Sequence, residues 1–316
     1  MKVIDLINSS KSTAFSFEIL PPLKGNSIQK VYNVIDKLIE FDPKYINITS
    51  HHSEYIYKTL PDGSFQKVNI RKRPGSVAIA SAIQNKYGIT AVPHIICKGF
   101  TKDETEYALI DLNFLGVYDL LLLRGDVKTL EAGQKTDIYH EHATDLQQQV
   151  NDFNKGIAID GSVFEANETP FSYGMACYPE KHEEAPNMES DIFYLKEKVK
   201  NGADYLVTQM FFDNEKYYAF VDRCRAEGIT VPIIPGIKPI VFKNQLTVLP
   251  KIFRSDIPEP FATELRKCKT DDEAKAVGVE WCIQQCKDLI PQGVPSLHFY
   301  TMMASDSVYK VAKEVY

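Results

Sequence analysis

The sequence predicts an α/β protein, a single catalytic domain over 1–316 folded as a (β/α)8 TIM barrel. Extra helices and two loop or hairpin insertions, near 53–75 and 155–170, complete it. Three observations carry this prediction. Strand-like and helix-periodic segments alternate about eight times, with no cluster of consecutive hairpins, which is the pattern of a parallel sheet with crossover helices. The run Tyr118-Asp119-Leu120-Leu121-Leu122-Leu123 is apolar almost throughout, as expected of a strand covered on both faces. A doubly wound open sheet would carry its nucleotide on a glycine-rich first turn, and neither G-x-G-x-x-G nor G-x-x-x-x-G-K-[ST] occurs. Eight repeats in 316 residues suit a closed barrel, for which roughly 250 residues plus insertions is typical.

The first strand, Phe15-Ser16-Phe17-Glu18-Ile19-Leu20, stops at Pro21-Pro22, because two prolines cannot continue a ladder. Phe15, Phe17 and Ile19 have high β-propensity, and Glu18 is set between the last two. Ile28, Val31, Ile35, Leu38 and Ile39 recur at helical spacing. A strand over 45–49 ends in Thr49-Ser50-His51-His52, and Pro61-Asp62-Gly63 marks a turn inside the polar excursion 53–75. A helix over 76–86 leads into a strand over 90–97. Thr101 with Glu104 forms a capping box, opening a helix that closes near Gly116. After the apolar run to Leu123 comes Arg124-Gly125-Asp126, a helix over about 139–151, and a polar loop over 155–170.

The pattern then repeats. A strand over 171–178 precedes Pro179-Glu180-Lys181-His182, and a helix from about 189 stops at Gly202. A strand over 205–212 carries Gln209 and is followed by a helix over 214–228. A strand over 231–237 ends in Lys238-Pro239, and helical segments occupy much of 242–290. A strand over 296–301 leads to a final helix over 305–315.

Composition restricts the function classes. The chain is 44% hydrophobic and 25% charged, with a formal net charge of -6, ordinary values for a soluble globular protein. Its densest basic run is Arg71-Lys72-Arg73, which argues against a nucleic-acid partner and against a polybasic membrane patch. The first eight residues lack a signal-peptide core, and no stretch approaches a membrane span. Six cysteines at 97, 177, 224, 268, 282 and 286 form no C-x-x-C pair; reduced thiols in a cytoplasmic protein are expected.

In such a barrel the active site lies at the C-terminal ends of the strands. Those ends deliver Glu18, Thr49, His94, Arg124-Gly125-Asp126, Tyr178 with His182, Gln209 and Lys238. Burying an ionised carboxylate without partners is costly, so Glu18 is expected to be paired, protonated or functional. Each residue also has a plainer reading. Glu18 could emerge into solvent, His94 could be a satisfied core histidine, and Arg-Gly-Asp could be a turn with a local ion pair. It is the regular recurrence of polar groups at strand ends that favours a site.

The chain resembles the 5,10-methylenetetrahydrofolate reductase family over essentially its whole length. The residues that carry the resemblance begin with Phe15-Ser16-Phe17-Glu18 through Pro21-Pro22, Pro93-His94, and Leu123-Arg124-Gly125-Asp126. They continue with Cys177-Tyr178-Pro179-Glu180-Lys181-His182, Thr208-Gln209-Met210-Phe211-Phe212-Asp213, Ile233-Ile234-Pro235-Gly236-Ile237 and His298-Phe299-Tyr300-Thr301. The resemblance implies an FAD-dependent reduction of 5,10-methylenetetrahydrofolate to 5-methyltetrahydrofolate with NADH or NADPH as donor. It further implies a place in one-carbon metabolism and methionine biosynthesis, and a homo-oligomer. Glu18 matches the family's general acid. Asp126 matches an aspartate near flavin and pterin, and Gln209 and Gln245 match folate-binding residues beside them. Flavin contacts carry over to Thr49, His94, Arg124, Gly125, Asp126, Ala143, Tyr178, His182, Asp191 and Lys198.

The chain departs from the bacterial pattern at His142, Leu249 and Ala304, where an aromatic, a stacking phenylalanine and a folate-tail arginine are expected. A C-terminal regulatory domain of the eukaryotic type is not expected. Two rival readings remain at this stage. His51-His52 and His140-x-His142, with Asp137 and Glu141, are candidate metal ligands, but no spaced cysteine or carboxylate set completes a site and no metal is expected. A flavin- or folate-binding barrel without turnover is the other, and Glu18, Asp126 and Gln209 argue against it.

Overall fold

The computed structural model describes residues 1–51, 54–98, 100–125, 138–302 and 304–316. In chain order the elements are α1 (Val3–Ser9), β1 (Ala14–Ile19), α2 (Gln29–Leu38), β2 (Tyr45–Ile48), β3 (Glu54–Thr59), β4 (Phe65–Ile70), α3 (Ser76–Tyr87), β5 (Thr90–Ile96), α4 (Lys102–Phe114) and β6 (Asp119–Leu123). There follow α5 (Ala143–Asn154), β7 (Ser172–Cys177), α6 (Met188–Lys200), β8 (Tyr205–Thr208), α7 (Asn214–Ala226), β9 (Ile233–Ile234) and β10 (Gly236–Ile237). The chain ends with α8 (Gln245–Phe253), α9 (Glu259–Lys267), α10 (Asp271–Leu289), β11 (Ser296–Tyr300) and α11 (Ser305–Val315).

The main sheet is parallel, in the order β10-β11-β1-β2-β5-β6-β7-β8-β9. β9 and β10 are one strand broken at Pro235, which has no N–H to give the ladder. The Pro235 carbonyl still accepts from the His298 N–H at 3.1 Å, so the ring closes through this segment into the eight-position barrel predicted. β3 and β4 pair antiparallel by themselves, so the insertion at 53–75 is a hairpin. No helix among the described residues is long and apolar enough to cross a membrane.

Period-two alternation sorts the strand side chains. Phe15, Phe17 and Ile19 face outward and pack with Val31, Ile35 and Leu38 of α2 and Val308 and Val311 of α11. Ser16 and Glu18 therefore point into the barrel. The interior at the N-terminal end holds Tyr45, Val92, Leu121, Tyr205, Val207 and Ile234 together with Val3 and Ile7 of α1. Thus α1 plugs that end, and the Val3 N–H is fixed to Asp119 Oδ1 at 2.8 Å. A third cluster joins Met210, Phe212 and Ile240 to Leu249, Phe261 and Leu265 of α8 and α9.

Several sequence expectations shift. The helix expected from about 139 begins at Ala143, because His142 takes the N-cap and its N–H bonds Asp145 Oδ2 at 2.9 Å. The strand expected over 205–212 ends at Thr208, which leaves Gln209 beyond the ladder. The Thr101–Glu104 capping box is present as expected, and all six cysteines are unpaired and buried.

Candidate active site

Strand register builds the mouth of the barrel. Glu18 pairs with Asn47 on one side and with Tyr300 on the other. Lys238 follows Ile237, which pairs with Phe299, so it stands at the height of Tyr300. Asn47, Glu18, Tyr300 and Lys238 therefore form one row of inward-facing side chains around half the ring. Glu18 is 7% exposed and Lys238 5%. The solvent-facing reading of Glu18 fails here, because the strand's alternation turns its carboxyl into the interior.

His94, on β5, places Nε2 3.7 Å from Glu18 Oε2, beyond hydrogen-bond length. Burial, reinforced by His298 and His51, lowers the His94 pKa to about 3, so the imidazole is neutral beside the carboxyl. His298 is likewise lowered to about 3 by burial. Its Nδ1 lies 3.0 Å from Ser16 Oγ, and its ring stacks on Tyr45. Asn47 Nδ2 and Oδ1, His94 Nε2 and His298 Nε2 are buried without a hydrogen-bond partner among the described residues. Such atoms cost free energy unless a ligand or water meets them. His94 is thus not the satisfied core histidine of the plainer reading.

A second group lies beyond β6 and β7. Arg124 ion-pairs with Glu184, while its Nε has no hydrogen-bond partner among the described residues. Gly125 has φ +83°, a conformation that disfavours a β-carbon. Tyr178 and His182 meet edge to face at 4.7 Å. The His182 N–H bonds Asp191 Oδ2 at 2.8 Å. Lys198 is no solvated surface charge: Nζ turns inward and donates to the Ala176 carbonyl at 2.9 Å. Burial lowers its pKa, against the pull of Asp191. Asp191 and Lys198 therefore share one face with His182 and Arg124, whose charges all bear on the His182 imidazole.

The remaining predicted residues are placed as follows. Thr49 Oγ1 lies 3.1 Å from His51 Nε2. Ala143 is the first residue of α5. Gln209 Oε1 accepts its neighbour Met210's N–H at 2.9 Å. Gln245 spends its Oε1 on the Val241 and Phe242 N–H groups at 2.7 and 3.1 Å. Asp126 lies outside the described residues, as do His52 and Asp137. Leu249 is buried in the α8–α9 cluster, and Ala304 caps α11. His140, one of the candidate metal ligands, is buried, and its Nε2 meets Gln149 Oε1 at 2.5 Å. Among the described residues no group of three or more His, Cys, Asp or Glu is placed to hold a metal. Asn47, in the row of Glu18, and His298, one layer below it beside Ser16, line the interior without having been singled out as site residues. The sequence signal for the two is period two from Thr49 and from Tyr300.

The fold and this mouth define the class: a (β/α) barrel with a buried carboxyl beside a neutral imidazole, flanked by cationic and aromatic side chains. The chain belongs to the methylenetetrahydrofolate reductase family, whose sequence profile matches residues 2–316. It is 30% identical to a probable methylenetetrahydrofolate reductase (NADPH) of Caenorhabditis elegans, covering 99% of this chain and 43% of that one. It is 29% identical to methylenetetrahydrofolate reductase (NADH) 1 of Arabidopsis thaliana, covering 97% and 49%. It is 30% identical to the 5,10-methylenetetrahydrofolate reductase of Escherichia coli K12, covering 94% and 88%. The chain thus spans about half the length of the worm and plant relatives and most of the bacterial one. Among solved structures, an uncharacterized Clostridium thermocellum protein that binds two copies of 5-methyl-5,6,7,8-tetrahydrofolic acid superposes with TM-score 0.57 at 16% identity. The match covers 98% of this chain and 97% of that one, a likeness of fold.

Proposed function

We propose that this chain reduces 5,10-methylenetetrahydrofolate to 5-methyltetrahydrofolate, with FAD as the hydride carrier and NADH or NADPH as the donor. The observation that carries the reading is Glu18, a buried carboxyl at the mouth, 3.7 Å from an imidazole that burial keeps neutral. An apolar setting raises a carboxyl's proton affinity, which is how proteins keep an acid loaded near neutral pH. A neutral His94 adds no cation to oppose this.

FAD fits the residues present. Arg124 and Lys198 supply cations suited to a pyrophosphate, and Tyr178 and His182 supply ring faces. The unpartnered atoms of Asn47, His94 and His298 offer hydrogen bonds within the mouth. When bound, a flavin accepts hydride from a nicotinamide and passes it to an electrophilic carbon. The chain's own work is on the folate. Glu18 gives its proton to N10, whose bond to the bridging methylene carbon breaks with the electron pair left on nitrogen. The cationic carbon that results receives the hydride. Gln209 and Gln245 hold the pterin through amide groups. Asp126 enters from the resemblance, as a negative charge that favours the cationic folate intermediate. The product places the chain in one-carbon metabolism that serves methionine biosynthesis.

Anaerobic titration of the purified protein tests this reading. The yellow colour should be bleached by NADH or NADPH and restored by methylenetetrahydrofolate. A protein that stays yellow with both nicotinamides, or that stays bleached with the folate, would overturn it.

A further inference from the structure

We propose that Lys238 is the electrostatic partner of Glu18, a buried ammonium that stabilises the carboxylate left when Glu18 gives up its proton. The inference rests on the reading of Glu18 as the acid and adds a residue to it. Lys238 directly follows β10 and lies in the same interior row as Glu18, two strands away, with Tyr300 of β11 between them. It is 5% exposed. An ammonium on a side chain so far withdrawn from water is stabilised by an opposite charge that appears beside it.

Ionised Glu18 is the carboxylate that Lys238 senses: burial lowers the lysine's pKa to about 8, against the upward pull that Glu18 exerts when charged. Among the described residues, the other groups that bear on the pair carry no charge near neutral pH. His94 on β5 and His298 on β11 are neutral imidazoles through burial. Burial also holds the Tyr300 hydroxyl and the Cys282 thiol of α10 in their protonated forms. Asn47 on β2 is uncharged at any pH. Tyr300 is committed elsewhere, donating to the Thr208 carbonyl at 2.6 Å, so it does not neutralise the lysine.

The proton transfer explains why an acid would keep a cation nearby. Before transfer Glu18 is neutral, and Lys238 faces a dipole. After the O–H bond breaks and N10 takes the proton, Glu18 is an anion in an apolar wall. An ammonium already in place stabilises that state more than the starting one, which is the requirement for lowering a barrier. Lys238 is in this sense a positioning residue acting through Glu18.

Infrared difference titration of the protonated carboxyl band, parent minus Glu18→Gln, reads the Glu18 proton without any folate. Lys238→Met should raise the Glu18 titration by about one pH unit, the lower end of the effect of a nearby opposite charge, and Lys238→Arg should restore most of it. In stopped flow, Lys238→Met should slow flavin reoxidation by methylenetetrahydrofolate severalfold and leave bleaching by NADH or NADPH within twofold. An unmoved carboxyl titration in a Lys238→Met or Lys238→Gln variant that folds would overturn the proposal. So would equal slowing of both half-reactions. If the parent's carboxyl shifts with Lys238 but folate is not reduced, the charge pair stands and the proposed function falls.

Discussion

Tyr300 crosses directly over Gly236 to reach the Thr208 carbonyl at 2.6 Å. A β-carbon at 236 would lie 2.5 Å from the Tyr300 ring and 2.4 Å from the Thr208 oxygen. The glycine is thus required by the close approach of a side chain and a neighbouring strand, and φ plays no part in it. Because Tyr300 stands between Glu18 and Lys238, this crossing also fixes the geometry of the interior row.

Gly236→Ala should therefore destabilise the barrel by about 1–3 kcal/mol, the usual cost of forcing extra volume into a packed interior. Chemical denaturation with urea reads it. An unchanged midpoint would mean that the β10–β11 seam is looser than the structure indicates.

Stability should fall as pH drops below about 6.5, the unperturbed histidine pKa, because His94 and His298 are held at about 3 in the folded chain. The unfolded chain binds more protons across that window, so each neutral histidine contributes stability at pH 7 that is lost on acidification, on the order of 1.4 kcal/mol per pH unit. Asp119, raised to about 6 by burial, works in the opposite sense between about pH 4 and 6. Comparison with a variant separates the two: His298→Gln should flatten the acid limb of the stability profile. An identical slope in parent and variant would show that His298 is not buried neutral.

Lys198→Met should weaken FAD binding about tenfold, the scale of one charge-assisted hydrogen bond to phosphate. Equilibrium dialysis or flavin fluorescence measures it. Unchanged affinity with normal folding would return Lys198 to a helix-packing role through its bond to Ala176.

The barrel was legible because its strands are short and rich in buried apolar residues and alternate with helix-periodic segments, so period and length agreed at nearly every element. Where they did not, local chemistry decided. α1 escaped notice because seven residues with Val3 and Ile7 buried show too little period, and its docking to Asp119 is a long-range event. Pro235 splits a strand that otherwise reads as continuous. At the site, Glu18, His94 and the Tyr178–Lys198 group were readable as polar tips of strands and by resemblance. Lys198 needed the fold, since three lysines alternate on one helix and only tertiary packing turns one inward. Lys238 and Asn47 needed the register, which aligns them with Glu18 from strands far apart in sequence.

The most direct measurement is anaerobic stopped flow on Glu18→Gln, following both half-reactions of the flavin. Bleaching by the nicotinamide should proceed at close to the parent rate, since that step needs no acid. Recolouring by methylenetetrahydrofolate should slow by about 10²–10⁴-fold, the usual contribution of a general acid. Equal slowing of the two steps, or recolouring at the parent rate, would contradict the assignment of Glu18 as the proton donor.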